Sequence, residues 1–559
     1  MTSRVGFKFV RGFPFLKVAI VTASLAVGSP VHAEEALKRG PLAPSDLVVE
    51  IKSQGLDEVN AKVLTEMALD QPSVHKRLDG VRHRLLASEF KGQGDSSEYS
   101  LKVYDYDHDL LVDLKGRTTP DLKGIQSVRV HEVYQQLNPT DEEFDEAVQL
   151  LKQDENFGRS LLDGTLTAYK AMPGVIPQPS PANTNGRSER VISVGLMPQR
   201  ANALPHEIVG INLSRMKVIR YPDRAPETTI ATDVFCGWPN AGQYTTARGT
   251  QGQAEISIKK AGVELWKFTA VRPSASSGYW GSAVDLVNVT YKGKLMLSEM
   301  HVPILNVNYD GNVCGPYRDW QYSESAFNAD GSNLASGIRR TVTRPETILE
   351  SGTDFGNFRG IAVYTDGPET ILVTELEAGW YRYISSYSFH EDGTIRPRFG
   401  FSGVEDSCIC RVHHHHVFWR FDFEIGGHEA GNTVESFDGS RWNAIARETR
   451  QYREAATQKW RVSTSAPGNE IKGYVVEPGE NDGTANAFGK GDAWILKYHE
   501  GQTDDSQAYI GTSNNLNAFV TGESVLDTDI VFWYGAHFTH DTQNPDTVAH
   551  VVGPTLRPY

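Results

Sequence analysis

The run Val412-His413-His414-His415-His416-Val417-Phe418-Trp419-Arg420-Phe421-Asp422 decides how this chain is read. It is internal and embedded in strand-like sequence, so it reads as part of a strand and not as a purification tag. Along a strand, His413 and His415 project to one face while His414 and His416 project to the other. Two imidazoles on one face, one residue apart, suit a transition metal of the copper or zinc class. A surface stretch that merely scavenges metal is the alternative on composition alone. A third ligand must come from elsewhere. Trp533-Tyr534-Gly535-Ala536-His537-Phe538-Thr539-His540 continues an apolar strand that begins near Ile530, and either histidine would close the site.

The sequence around this run has one texture from about residue 186 to 559. Short strand-like runs, such as Leu265–Val271 and Val284–Thr290, are separated by Gly, Asn and Asp turns, with few helical periods. That pattern predicts a mainly β chain whose large domain is an antiparallel β-sandwich. No repeat of fixed period stands out, which disfavours a propeller or solenoid. Residues 34–185 read as a small α+β module. Leu56–Leu69 has helical spacing, and strand-like runs follow near Arg82–Lys91, Tyr99–Leu114 and Ser127–Val133. Thr140-Asp141-Glu142-Glu143 reads as a capping box that opens a helix with Phe144, Ala147, Val148 and Leu151 on one face. The Pro, Asn, Ser and Gly content of Pro173–Arg187 marks a linker.

Residues 1–33 read as a signal peptide: Arg4, Lys8, Arg11 and Lys17 precede or flank an apolar run, Val18–Val27, and Val31-His32-Ala33 fits a cleavage site. Export to a secreted or periplasmic location is therefore expected, with no membrane-spanning segment in the mature chain. A net charge of −15 over 559 residues argues against nucleic acid as a partner and weakly favours the approach of cations such as amines. The four cysteines are expected to pair in an oxidising compartment, with Cys236–Cys314 a plausible bridge. Cys408-Ile409-Cys410 is open to three readings: a short-loop bridge, a metal-delivery pair, or two thiols whose partners lie elsewhere.

Over roughly its C-terminal two-thirds the chain resembles the copper amine oxidases. The family carries His-x-His, four residues, then Arg-x-Asp, matched here by His413, His415, Arg420 and Asp422, with Gly427 and Asn432-Thr433-Val434 following. The resemblance implies copper held by His413, His415 and a distal histidine. Counting back from Pro545 and Leu556-Arg557-Pro558 selects His537, whereas counting forward from Trp533 selects His540. The family builds topaquinone from a tyrosine in an Asn-Tyr-Asp/Glu motif. Gly379-Trp380-Tyr381-Arg382-Tyr383 occupies that place, which makes Tyr381 the matching residue, with Trp380 and Arg382 departing from the motif. The family's catalytic base and the gating tyrosine two residues before it fall on Asp319 and Tyr317, with Asp310 the fallback base.

The resemblance implies oxidative deamination of a primary amine to an aldehyde, with dioxygen reduced to hydrogen peroxide and Asp319 as the general base. It also implies a homodimer, although segments that supply dimer contacts look shorter between Asp319 and Tyr381 and between Gly403 and His413. The alternatives are a copper enzyme on the same scaffold with Tyr381 unmodified, acting on another substrate, and a non-catalytic copper-binding protein.

Overall fold

In a computed structural model, residues 40–559 are described apart from short breaks, the longest at 180–187, 222–235, 242–251, 273–280, 506–512 and 542–549. The segment read as a signal peptide lies outside the described residues, as does most of the linker reading. No helix among the described residues is long and apolar enough to cross a membrane.

The described chain is mainly β. A first four-stranded sheet, formed by His83–Lys91, Glu98–Asp105, Leu110–Thr118 and Ile125–Val133, is an antiparallel meander. The helices Glu58–Leu69 and Pro72–Leu78 supply Ala68, Val74 and Leu78 to the core against one face of it. The single run read over Tyr99–Leu114 is in fact two strands of a hairpin. The capping box forms as read: Thr140 Oγ1 accepts from Glu143 N at 3.2 Å, and Glu143 Oε2 accepts from Thr140 N at 3.1 Å. Ala147 and Leu151 of that helix pack into a core shared with a second four-stranded sheet, Leu166–Val175, Val191–Pro198, Glu207–Asn212 and Lys217–Ile219. Strand pairing therefore runs across residue 185, because Leu166–Val175 finds its hydrogen-bond partner in Val191–Pro198.

Two large sheets form the rest. The first orders its strands as Leu47–Gln54, Gly252–Lys260, Val263–Arg272, Asp285–Tyr291, Lys294–Tyr309, His413–Phe423, Ile530–His540, Ala493–Lys497 and Thr449–Gln451. The second places Glu369–Ala378, Tyr381–His390 and Ile395–Gly403 beside one another and carries Thr555–Pro558 next in order. One hydrophobic core holds side chains of both sheets, with Trp419, Phe421 and Phe532 from the first beside Tyr383, Phe399 and Phe401 from the second. This is the sandwich that the alternating texture predicts. The central strands are buried on both faces, so Arg420 and Asp422 of His413–Phe423 are buried too and pair with each other, Arg420 also with Glu299.

Candidate metal and catalytic site

The strand His413–Phe423 lies between Lys294–Tyr309 and Ile530–His540, and its register fixes which histidines meet. His413 is opposite His540, His415 opposite Phe538, and His416 opposite His537. Directly opposed residues share a face, so His413, His415 and His540 project together and His416 and His537 project the other way. The His413 ring centroid lies 5.1 Å from that of His415 and 4.6 Å from that of His540.

His537, which the count back from the C-terminal prolines selects, projects away from His413 and His415. His537 Nδ1 stands 2.8 Å from His416 Nδ1, and its Nε2 lies 3.1 Å from the Gly491 carbonyl and 3.3 Å from an Asp492 oxygen. A Cβ on Gly489 would come within 2.9 Å of His416 Nδ1, so backbone closes that side tightly. His537 and His540 are three residues apart, and an odd spacing on a strand means opposite faces.

His413 and His540 are spaced to share a metal ion, with the His415 ring beside His413. His413 Nδ1 donates to the Arg411 carbonyl at 2.6 Å, which leaves Nε2 with its lone pair. That nitrogen is 3.1 Å from His540 Nδ1, about the separation of two nitrogens each bound at ~2.0 Å to one ion. His415 is fully buried, and neither ring nitrogen has a hydrogen bond among the described residues. Unsatisfied buried nitrogens are costly unless something binds them, and a cation is what a neutral imidazole binds. Burial, reinforced by the neighbouring imidazoles, pushes His413 down to about 3 and His415 well below its ordinary value. Both are thus neutral, the form that ligates copper.

The second sheet supplies the groups facing these histidines. Tyr381 hydrogen-bonds through its hydroxyl to His413 Nε2, and its ring lies 4.5 Å from that of His415. Tyr383, two residues on and so on the same face, stacks on Tyr381 at 5.4 Å and 7°. Its hydroxyl donates to Asp319 Oδ2. The Asp319 backbone N–H bonds to the Leu305 carbonyl at 2.9 Å, beside the pairing of Tyr317 with Val307 and Arg318 with Asn306. The backbone of Tyr317 is thereby placed, but its side chain lies outside the described part of the structure. Alternation sends Arg318 away from Asp319, where its guanidinium binds Asp505 at 2.9 and 2.6 Å and Asn306 at 2.6 Å. Burial pushes the Asp319 carboxyl up to about 7, opposed by the Tyr383 hydrogen bond and the Arg318 charge. Asp319 Oδ1 is buried without a hydrogen-bond partner among the described residues.

The two departures from the tyrosine motif have defined places. Trp380 Nε1 donates to Tyr309 Oη at 2.8 Å, and the Tyr309 ring stacks on His413 at 4.7 Å. Arg382 lies on the opposite face of its strand from Tyr381, held by Asp354 at 2.9 and 2.8 Å with Glu377 at 3.7 Å. Its charge is therefore compensated away from the tyrosine ring.

No protein-family profile matches the chain, and no curated protein matches it in sequence. Among solved structures, a copper-containing benzylamine oxidase from Hansenula polymorpha superposes with a TM-score of 0.56 at 11% identity, covering 93% of this chain and 98% of that one. The fold is that of the copper amine oxidases. Lysyl oxidase from Pichia pastoris has a TM-score of 0.53 at 13% identity, covering 93% of this chain and 92% of its own. An Aspergillus nidulans amine oxidase has 0.53 at 12%, covering 93% and 91%.

On this copper amine oxidase fold the disulfides differ from the expected pairing. Cys236 bonds Cys410 and Cys314 bonds Cys408, so Cys236–Cys314 is not formed. The 408–410 turn lies between the other two segments: Cys236 forms a bridge with Asp406, while Cys314 precedes Asp319 by five residues. The reading that holds for Cys408-Ile409-Cys410 is two cysteines with distant partners. Among the described residues, Asp285, Glu299 and His301, Glu448, His499 and Glu523, and Asp422, Glu424 and Asp529 each offer ligand atoms within 4.8 Å of one another, and none of these three groups includes His413, His415 or His540. Tyr383 escaped the sequence reading, although its even spacing from Tyr381 placed it on the same face.

Proposed function

We propose that the protein is a copper-dependent oxidoreductase that deaminates a primary amine, giving an aldehyde, ammonia and hydrogen peroxide from the amine, dioxygen and water. The observation that carries the reading is the meeting of the Tyr381 hydroxyl with His413 Nε2, with Asp319 held one ring away by Tyr383. His413, His415 and His540 would hold copper. Bound there, copper would supply the redox chemistry for conversion of Tyr381 to a quinone, the carbonyl reagent that amine oxidation requires and no unmodified side chain provides.

The chain's own residues account for the remaining steps. Asp319 Oδ1 takes the proton from the carbon that bears the amine. Its buried carboxyl, poised near neutral pH, is matched to that task. Tyr383 keeps the other oxygen in place. Phe401, 4.6 Å from His415, and Phe538, 6.0 Å from Phe401, wall the site against water. The same reading carries a secreted or periplasmic location, which the two disulfides support, and assembly as a homodimer.

The test is an absorption spectrum of copper-loaded protein before and after phenylhydrazine. A visible band that shifts on adduct formation and is absent from Tyr381→Phe supports the quinone. Full copper occupancy with no adduct sinks it and favours a copper enzyme with Tyr381 unmodified. That outcome has its own motive in Trp380 and Arg382, which replace the family's small polar and acidic flanks.

A further inference from the structure

A second group of metal-binding side chains lies on the other face of the first large sheet. Glu299 and His301 stand two apart on the strand Lys294–Tyr309 and so share a face. They pair with Asp422 and Arg420, whose odd spacing from His413 and His415 turns them away from those histidines. On the neighbouring strand Leu286 pairs with Met300 and Val287 with Glu299, which brings Asp285 beside His301. Asp285 and His301 are 1% and 0% exposed, and one ligand atom from each of Asp285, Glu299 and His301 lies within 4.8 Å of the others.

The hydrogen bonds around His301 decide what its ring offers. Ser282 Oγ is 2.9 Å from the Val302 carbonyl, which can only accept, so the one hydroxyl hydrogen goes there. The same Oγ lies 3.1 Å from His301 Nδ1 and therefore accepts from it. In the neutral ring this leaves the lone pair on Nε2, the nitrogen that faces Glu299. The Glu299 oxygen stands 3.6 Å from Nε2, too far to share a proton. Two tetrahedral ligands bound at ~2.0–2.2 Å to one ion are roughly 3.3–3.6 Å apart, so a metal suits the gap that a proton does not. Arg420 Nη1 donates to Glu299 at 2.6 Å and fixes the carboxylate. Asp285 and Glu299 line a groove of about 730 Å³ together with Asp422, Glu424 and Asp529, and Arg420 is the one guanidinium among its lining residues, so the way in favours a cation. One imidazole nitrogen with carboxylate oxygens suits zinc rather than calcium, which takes oxygen alone. We propose that Asp285, Glu299 and His301 bind a divalent transition ion of the zinc class that ties two neighbouring strands of the first sheet and enters from this groove.

This site shares no ligand with the copper site proposed above, so copper content measured on the same sample tests that reading separately. The full chain, loaded first with copper, is equilibrated with zinc and dialysed against metal-free buffer. Wild type is expected to keep zinc, and zinc-edge X-ray absorption to show one imidazole with the remaining ligands oxygen. Asp285→Asn, which keeps the shape of the side chain, is expected to lower zinc affinity about tenfold or more with copper content unchanged. His499→Ala removes the imidazole from the other one-histidine group, Glu448, His499 and Glu523, and is expected to keep the zinc. Wild type that retains no zinc would overturn the proposal, as would a shell of oxygen alone or of two or more imidazoles, whether or not the variants fold. Zinc held equally well by a folded Asp285→Asn, or lost from a folded His499→Ala, would overturn it too.

Discussion

Replacing Asp319 by Asn makes the strongest test of the catalytic reading, because one carboxyl predicts both a stability and a rate effect. In the fold this carboxyl ionises at about 7, against 3.8 for its ordinary value, and burial is the main cause. Between those values the unfolded chain has already released the proton and the folded one has not. Stability therefore falls as pH rises through this window. About three units at ~1.4 kcal/mol each give a penalty of roughly 4 kcal/mol once the buried carboxylate is fully ionised. Asn still accepts from the Tyr383 hydroxyl and does not ionise. Going from about pH 5 to about pH 8.5, the metal-free variant is expected to gain on metal-free wild type by roughly 3 kcal/mol, read as a Tm difference that widens by a few degrees. Over the same range wild-type kcat/KM should rise with a midpoint near 7, and Asp319→Asn should lose about 10²–10⁴-fold in rate. A Tm difference independent of pH, together with a flat rate profile, would refute the buried-base assignment.

Three further changes probe other parts of the site. His540→Ala is expected to lose copper on dialysis while His537→Ala retains it, with metal content as the measurement; the reverse would restore His537 as the ligand. Tyr383→Phe removes the hydrogen bond that lowers the Asp319 pKa, so the midpoint of kcat/KM against pH should move upward, and an unmoved midpoint would deny Tyr383 its hold on the base. Arg382→Gln leaves Asp354 and Glu377 buried without their cation and is expected to cost about 3–5 kcal/mol, measured by thermal unfolding, a loss that Arg382→Lys should partly recover.

The sandwich was legible in the sequence, because short strand-like runs broken by Gly, Asn and Asp turns are a local signal. Alternation separated His413 and His415 from His414 and His416, and the resemblance to the copper amine oxidase motif chose between the two pairs. Which of His537 and His540 shares the face of His413 and His415 was not legible, since it depends on the register between His413–Phe423 and Ile530–His540, which long-range pairing sets. Cysteine pairing failed for a related reason: nothing local shows that the 408–410 turn separates the segments carrying Cys236 and Cys314. Asp319 was located by its place in the resemblance, but its ionisation reflects burial and the diversion of Arg318 to Asp505, neither visible along the chain. The small module was readable where its signals were local, as in the capping box at Thr140, and not where Leu166–Val175 reaches past residue 185 to pair.

The two bridges at Cys408 and Cys410 bear on how the protein is prepared. They join residues 94 and 174 apart in the chain, and both end on the turn that leads three residues later into His413. A thiol reductant in a purification buffer would act twice, first on cupric ion and then on the bonds that tie this turn to the Cys236 segment and to the approach to Asp319. Dialysis against copper repairs only the first injury. Protein made in a reducing cytosol and loaded with metal afterwards would carry His413 beside an untethered turn, so low activity in such material would report the host's thiol chemistry.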